Sequence, residues 1–472
     1  MYLASVSYSI GTSPYSVSVI DVNGDNQPDI VTANYGANTT TVLINTGDGT
    51  FSSQVTYPVG SYPRSLSVVD VNGDNKPDIV TANGGKNTTS VLINTGDGTF
   101  SSQVTYPVGS SPFSVAVVDV NGDNKPDIVT ANYGANTTAV LINTGDGTFS
   151  SQVTYSVGYS PVSVAVVDVN GDNKPDIVIG NQYANTVSVL RNTGNGTFSS
   201  QVTYSVGTTP NSVAVVDVNG DNKSDIVTAN RGASTVSVLT NIGDGTFSSQ
   251  VTYSVGSSPY SVAVVDVNGD SKSDIVTANQ GASTVSVLTN IGNGTFSSQI
   301  NYSTDHGPTS VAVVDVNGDN KPDIVTANNG ALTTSVLRNT GNGTFSSQIP
   351  YSTGSGPYSV AMVDVNGDNK LDIVTANQGA STVSVLMNTG NGIFSSQVNY
   401  STGNSPVSVA VVDVNEDNKP DIVTANSGAS SVSVLRNTGN GTFSAQVTYS
   451  VGSTPTRSDP NYFLPIWIKI NS

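Results

Sequence analysis

The chain has 472 residues, only 11% of them charged, and Gly, Ser, Thr, Asn and Val dominate it. Its 34 acidic residues against 16 Lys and Arg give a formal charge of −18 and a pI near 4.1, which speaks against nucleic-acid binding, since that needs a basic footprint. Without cysteine there are neither disulfides nor thiolate metal sites, and no apolar run reaches the roughly 18 residues of a membrane span.

No signal peptide is visible, because Met1-Tyr2-Leu3-Ala4 runs straight into strand-like sequence. From there a unit of 49 residues recurs nine times without insertion or deletion. A fixed period of roughly 20 to 50 residues signals a propeller, solenoid or array. The third repeat is representative. Ser114 to Val120 (SVAVVDV) is β-branched and apolar and reads as a buried strand. An Asp-rich loop follows, then a second strand from Asp127 to Asn132 (DIVTAN), the turn YGAN, and a third strand from Thr137 to Asn143. TGDG has the chemistry of a tight hairpin, and Phe149 to Gly158 makes a fourth, more polar strand. Four antiparallel strands joined by short turns describe one propeller blade. The expected fold is therefore an all-β propeller over residues 1–456, one four-stranded antiparallel blade per repeat. Nine blades are favoured over seven or eight with leftover repeats, which would expose their faces.

A phenylalanine (Phe51 through Phe443) and a tyrosine (Tyr8 through Tyr449) keep the period and read as packing between blades. The tyrosine occurs ten times, so one fourth-strand sequence is surplus, and either end of the chain can pair onto the seam blade. Residues 457–472, with the only tryptophan, Trp467, stand outside the repeat as a C-terminal tail.

The loop is the densest motif. Its nine residues place oxygen-bearing side chains at positions 1, 3, 5 and 9, beginning with Asp21, Asn23, Asp25 and Asp29. The second and third copies carry Asp70, Asn72, Asp74, Asp78 and Asp119, Asn121, Asp123, Asp127. The fourth and fifth carry Asp168, Asn170, Asp172, Asp176 and Asp217, Asn219, Asp221, Asp225. The sixth and seventh carry Asp266, Asn268, Asp270, Asp274 and Asp315, Asn317, Asp319, Asp323. The last two carry Asp364, Asn366, Asp368, Asp372 and Asp413, Asn415, Asp417, Asp421. Calcium takes six to eight oxygen ligands in flexible geometry, and alternate positions of a tight loop suit it. Position 7 is Gln27, then Lys76, Lys125, Lys174, Lys223, Lys272, Lys321, Lys370 and Lys419. It is expected to lend its backbone carbonyl and leave the lysine ammonium in water. An ordinary turn needs one or two Asp, Asn or Gly residues; three carboxylates within nine positions repel one another unless a cation screens them. Calcium, about one ion per repeat, is the expected cofactor, and nine divalent ions would offset the charge of −18.

The loop is not an EF-hand, which wants Gly at position 6 and Glu at position 12 between helices. With the recurring GDGTF and GNGTF turns it resembles instead the FG-GAP/VCBS repeat family, over residues 1 to about 456. The resemblance implies a β-propeller, usually seven-bladed, with calcium in the hairpin between the first two strands and an extracellular setting in adhesion or ligand recognition. Two copies depart: Glu416 stands where the other loops have Gly, and Ser271 where they have Asn. Glu416 would be strained if that position needs a positive φ.

Alternate connections of antiparallel strands lie on opposite faces. The loops and GDG turns share one, nearly invariant from copy to copy. On the other, one position reads Tyr15, Arg64, Phe113, Val162, Asn211, Tyr260, Thr309, Tyr358 and Val407. A second reads Tyr35, Gly84, Tyr133, Gln182, Arg231, Gln280, Asn329, Gln378 and Ser427. Aromatics and Arg are the anchors that binding sites favour, so Tyr15, Tyr35, Arg64, Phe113, Tyr133, Arg231, Tyr260 and Tyr358 are the candidate ligand-binding residues. The expected function is a calcium-binding recognition or adhesion module, extracellular or at the cell surface, for a protein or glycan ligand. A lectin is the alternative, and a polysaccharide-acting enzyme ranks below both. Catalysis is not expected, because the single histidine, His306, reads as a loop variant and no repeat is broken to install a special constellation.

Overall fold

The computed structural model describes residues 14–448 apart from 26–28, 47–51, 53–54, 415–416, 430 and 445–446. Tyr8, Phe51, Tyr449, the tail 457–472 with Trp467, and the expected pairing of the chain ends at the seam lie outside the described residues.

Each repeat forms one four-stranded antiparallel sheet with its strands in chain order, and nine such sheets stand in a ring. In the third blade the strands are Pro112–Val118, Asp127–Asn132, Thr137–Leu141 and Val153–Ser156. The second strand is buried at all six positions, because both of its faces meet a neighbouring blade. That is why DIVTAN reads as a continuous buried run and not as an alternation. The first strands of adjacent blades lie side by side around the axis, and the fourth strand is outermost and largely exposed. No helix among the described residues is long and apolar enough to cross a membrane.

The ring closes with nine blades. Each apolar cluster belongs to an interface between blades: Val120, Val129 and Val140 of the third pack on Ile177, Leu190 and Phe198 of the fourth. The same kind of cluster joins Ile30 and Leu43 of the first blade to Val414, Val423 and Val434 of the ninth. The periodic aromatics also bridge blades, as expected. Tyr106 meets Phe149 edge-on at 5.5 Å, and the Phe149 N–H donates to the tyrosine Oη at 3.3 Å.

The third-to-fourth connection departs from the expected tight hairpin. Asn143–Gly145 pairs with Thr148–Phe149 in a separate two-stranded ribbon, and the fourth strand starts only at Val153. The ribbon turns through three left-handed residues, Gly145, Asp146 and Gly147. A Cβ on Gly147 would lie 2.2 Å from Ile93 of the preceding blade, so glycine there lets the ribbon lean on its neighbour.

Candidate functional site

The loops organise themselves through their own side chains. In the third repeat Asp119 Oδ1 accepts the N–H groups of Asn121 and Gly122 at 3.0 and 2.7 Å, and Oδ2 accepts that of Asn124 at 2.7 Å. Asn121 Oδ1 accepts from Asp123 N and Asp123 Oδ1 from Lys125 N, both at 2.9 Å. Each oxygen-bearing residue thus closes a turn with an N–H just beyond it, as Asx side chains do. Gly122 and Asn124 are left-handed, with φ of 80° and 61°. The Gly of the eight copies from Gly24 to Gly367 holds φ between 76° and 80°, so position 4 does require a positive φ. Glu416 and Asn415, like Gln27, lie outside the described residues. Ser271 absorbs its substitution: its φ is 65°, and its N–H still reaches Asp266 Oδ2 at 2.8 Å.

The lysines at position 7 stay exposed to solvent and also reach a neighbouring carboxylate. Their ammonium groups lie 2.7 to 3.9 Å from the carboxylate at position 5, from Lys419–Asp417 to Lys125–Asp123. The fourth methylene puts the charge within reach of a carboxylate only two residues back. At this exposure solvent screens such pairs, and they contribute little.

Position 9 differs in kind. Asp127 has no exposed surface, and its oxygens accept the N–H groups of Val120 at 2.9 Å and Asn143 at 2.7 Å. Burial, opposed by those two N–H groups and reinforced by the carboxylates at positions 5 and 1, pushes it up to about 6. Asp78, Asp323 and Asp372 likewise rise to about 6, and Asp29 and Asp421 to about 7. Asp176, Asp225 and Asp274 are raised for the same reasons. Among the described residues no group of three or more carboxylates converges in a metal-holding arrangement. The donor set nevertheless fits a hard divalent cation. It is all oxygen, a carboxylate that accepts one N–H per oxygen keeps further lone pairs, and a buried anion beside two more carboxylates is relieved by positive charge.

The asparagine that begins each two-stranded ribbon joins these loops, and sequence reasoning missed it. Asn192 donates through Nδ2 to the Val120 carbonyl of the preceding blade at 2.6 Å and to the Pro175 carbonyl of its own loop at 3.0 Å. Its own N–H caps Asp176 at 2.7 Å. Asn94, Asn143, Asn241, Asn290, Asn339, Asn388 and Asn437 repeat the inter-blade bond, and Asn45 closes the ring by donating to the Val414 carbonyl. Its recurrence in every copy was the available signal.

On the opposite face the two variable series come together. The first sits at a β-bulge: the register shifts between Pro112 and Ser114, leaving Phe113 as the extra residue, and bulges re-aim side chains. Arg64 lies over the rings of Tyr35 at 5.1 Å and Phe113 at 4.9 Å, and Phe113 is tilted against Tyr133 at 5.9 Å. Farther round, Arg231 lies over Tyr260 at 5.6 Å, and the Tyr260 and Tyr358 hydroxyls meet at 3.1 Å. Val162, Asn211, Tyr260, Thr309 and Val407 are buried, whereas Arg64, Phe113 and Tyr358 are half-buried. The Tyr15 side chain lies outside the described residues.

Three exposed tyrosines on this face escaped the sequence reading. Tyr62 stacks on Tyr35 at 4.8 Å, and Tyr159 and Tyr183 lie 6.2 Å apart. Tyr183 replaces a glycine present in all eight other copies, a signal that was available. His306 Nδ1 is 3.1 Å from Ser283 Oγ, and Asn404 makes the equivalent contact to Ser381 at 2.8 Å. Its contact is thus a turn closure that an asparagine serves equally well.

Models of the FG-GAP-like repeat match residues 21–81, 70–130, 119–179, 168–228, 217–277, 266–326, 315–375 and 364–424, and the FG-GAP repeat matches 405–444. No curated protein matches the chain. Among solved structures, an Agrocybe aegerita lectin that recognises non-reducing terminal N-acetylglucosamine is 20% identical, with TM-score 0.41, over 71% of this chain and 93% of its own. A V. cholerae biofilm matrix protein is 15% identical, with TM-score 0.46, over 89% and 87%. Virginiamycin B lyase from Staphylococcus aureus is 14% identical, with TM-score 0.38, over 67% and 91%.

Proposed function

The chain belongs to the FG-GAP repeat family, and from that premise we propose that it is a non-enzymatic, calcium-stabilised recognition or adhesion module whose ligand face lies opposite the Asp-rich loops. The observation that carries this reading is the division of labour between faces. The loop face barely changes over nine copies, while aromatic and arginine side chains gather at the variable positions of the other. Side-chain oxygens at loop positions 1, 3, 5 and 9 and the carbonyl at position 7 would hold calcium, which supplies positive charge to a buried carboxylate. Such loops suit a setting outside the cell or at its surface, where calcium is plentiful.

Two measurements test the reading separately. Metal that binds only the folded chain stabilises it by mass action, so the unfolding midpoint should rise with calcium and fall with a chelator. An unchanged midpoint removes the calcium premise. A panel of glycans and cell-surface proteins, presented to the parent and to an Arg64→Gln variant, tests the ligand face: retained binding by the variant for every ligand captured would place recognition elsewhere.

A further inference from the structure

The outer circumference of the ring is built differently from both faces. Each blade ends in its fourth strand, and among the described residues no strand pairs beyond it. Every fourth strand is thus an open sheet edge, a template for another extended chain, which folded proteins blunt with charged side chains, prolines or bulges. Here the stretch from Phe149 to Ser156 has no charged residue, and neither has its counterpart in any other copy, on a chain of net charge −18. The third-to-fourth pairing also runs without a bulge, from Val140 opposite Val153 to Thr137 opposite Ser156. Val104, Val153 and Val251 stand 47–49% exposed along this edge.

The ladder decides which backbone groups face outward. The Val157 N–H donates to the Asn136 carbonyl at 3.0 Å, so by antiparallel alternation Tyr155 and Val153 also bond inward. Thr154 and Ser156 therefore turn both N–H and C=O away from the sheet. Proline occurs in fourth strands three times, each time at one of these two positions. Pro58 and Pro107 stand at the site of Ser156, and Pro350 at that of Thr154. Proline belongs where its missing N–H would face outward, so the first, second and seventh blades are blunted. The third to sixth blades, from Thr154 and Ser156 to Asn301 and Ser303, keep both donors, as does the eighth with Asn399 and Ser401. The blade itself does not require these edges to stay open, because the three prolines leave the strand pairing unchanged.

We propose that the open edges bind a second copy of this chain, fourth strand against fourth strand and antiparallel. Setting Thr154 of one copy opposite Ser156 of the other lets the two residues exchange N–H···O bonds on both sides of a two-fold axis, and hydroxyl residues pair well across strands. Each fourth strand runs from the loop face towards the variable face, so antiparallel pairing also points the two acidic loop faces in opposite directions. A charged partner would find nothing to complement on this band. A single pairing of four residues is far smaller than a standard interface, so each contact is weak and reversible, and several open edges per ring lead to assemblies beyond a dimer.

Sedimentation velocity of the full chain, from micromolar to millimolar concentration with calcium present, tests the proposal. The weight-average mass should rise with concentration past that of a dimer, and added salt should promote this by screening the net negative charge. Thr154→Pro, Thr203→Pro, Thr252→Pro, Asn301→Pro, Asn399→Pro and Thr448→Pro together put a proline on every edge. They should weaken association roughly tenfold or more, the range for the two hydrogen bonds that each contact then loses. Val153→Glu, Val202→Glu, Val251→Glu, Ile300→Glu and Val398→Glu, all at exposed side chains, should weaken it by repulsion, and they decide the matter if the prolines lower the unfolding midpoint. A peptide of residues 150–157 should compete; equal competition by an unrelated extended peptide makes the edge a general strand acceptor and overturns the assignment to a second copy. A parent that stays monomeric throughout, association that both sets of substitutions leave intact, or association that salt dissolves overturns the proposal too.

Discussion

In metal-free buffer the ring should lose stability as the pH rises from about 4 to about 7, the reverse of the usual carboxylate behaviour. Asp127 is held at about 6 in the folded chain, against about 3.9 for an unfolded aspartate. A raised native value means that the fold keeps a proton the unfolded chain has already released. The stabilisation is complete below about pH 4 and is lost as pH climbs through the native value. A shift of about two units corresponds to about 3 kcal/mol per site as an upper limit, and relaxation in the real loop will reduce it. If about 1 kcal/mol survives in each of the nine loops, the unfolding midpoint should fall by something on the order of 10 °C. Asp270 and Asp368 shift downward through their hydrogen bonds to Lys272 and Lys370, but exposed pairs are screened and oppose this only weakly. Scanning calorimetry at one scan rate, with chelator present throughout, measures the effect. A midpoint that is flat or rises over this window refutes the account of position 9. Calcium should invert the trend, because metal ligands must be deprotonated and affinity therefore grows with pH.

Three further perturbations probe the scaffold and the face. Asn192→Ala deletes bonds to the Val120 and Pro175 carbonyls and frees the Gly194 N–H; it should cost about 2–4 kcal/mol by denaturant unfolding, and a loss below about 1 kcal/mol would show that the asparagine does not tie the blades. Tyr204→Phe keeps the edge-on contact with Phe247 at 5.4 Å but loses the 3.1 Å bond from its N–H; about 1 kcal/mol is expected, well short of the roughly 3–5 kcal/mol for removing a whole buried aromatic. Tyr62→Gly should stabilise the fold by about 1 kcal/mol by releasing left-handed strain; a lower midpoint would mean that the stack on Tyr35 outweighs that strain.

Much of the fold was legible because each level repeats the same instruction. β-Branched runs, turn glycines and an unbroken 49-residue period admit few arrangements besides a ring of blades, and the aromatic pairs landed between blades as their spacing suggested. What was not legible depended on three-dimensional neighbours. The ribbon between Asn143 and Phe149 looked like a plain hairpin because Gly147 serves a contact with Ile93 in another blade. Asn192 looked like the polar end of a third strand, since its acceptor lies 72 positions away. The ion pair of the exposed lysine at position 7 was not legible, because its reach back to position 5 is a matter of rotamer, which composition does not show. The rim was half legible: variation marked Arg64 and Phe113, but Tyr62 stands out only when its backbone angle is known.

Nine copies in one chain act as internal controls on one another, and that separates what the blade requires from what one sector adds. Where all copies agree, as at the asparagine clamp, the residue satisfies a bond that any blade needs. Neutral change at an exposed turn should scatter residues independently and at little energetic cost. The first four blades show the opposite. Tyr62 accepts an unfavourable φ and lays its ring against Gly85, a glycine shared by eight of the nine copies. Gly84 makes room for Arg64 at a position where other copies carry Tyr, Gln, Arg, Asn or Ser. Coordinated departures that oppose local stability, in a scaffold whose other blades show a cheaper solution at the same site, are what selection for a ligand leaves behind. That asymmetry, more than the likeness of the repeats, is the strongest sign that this ring is used to hold something.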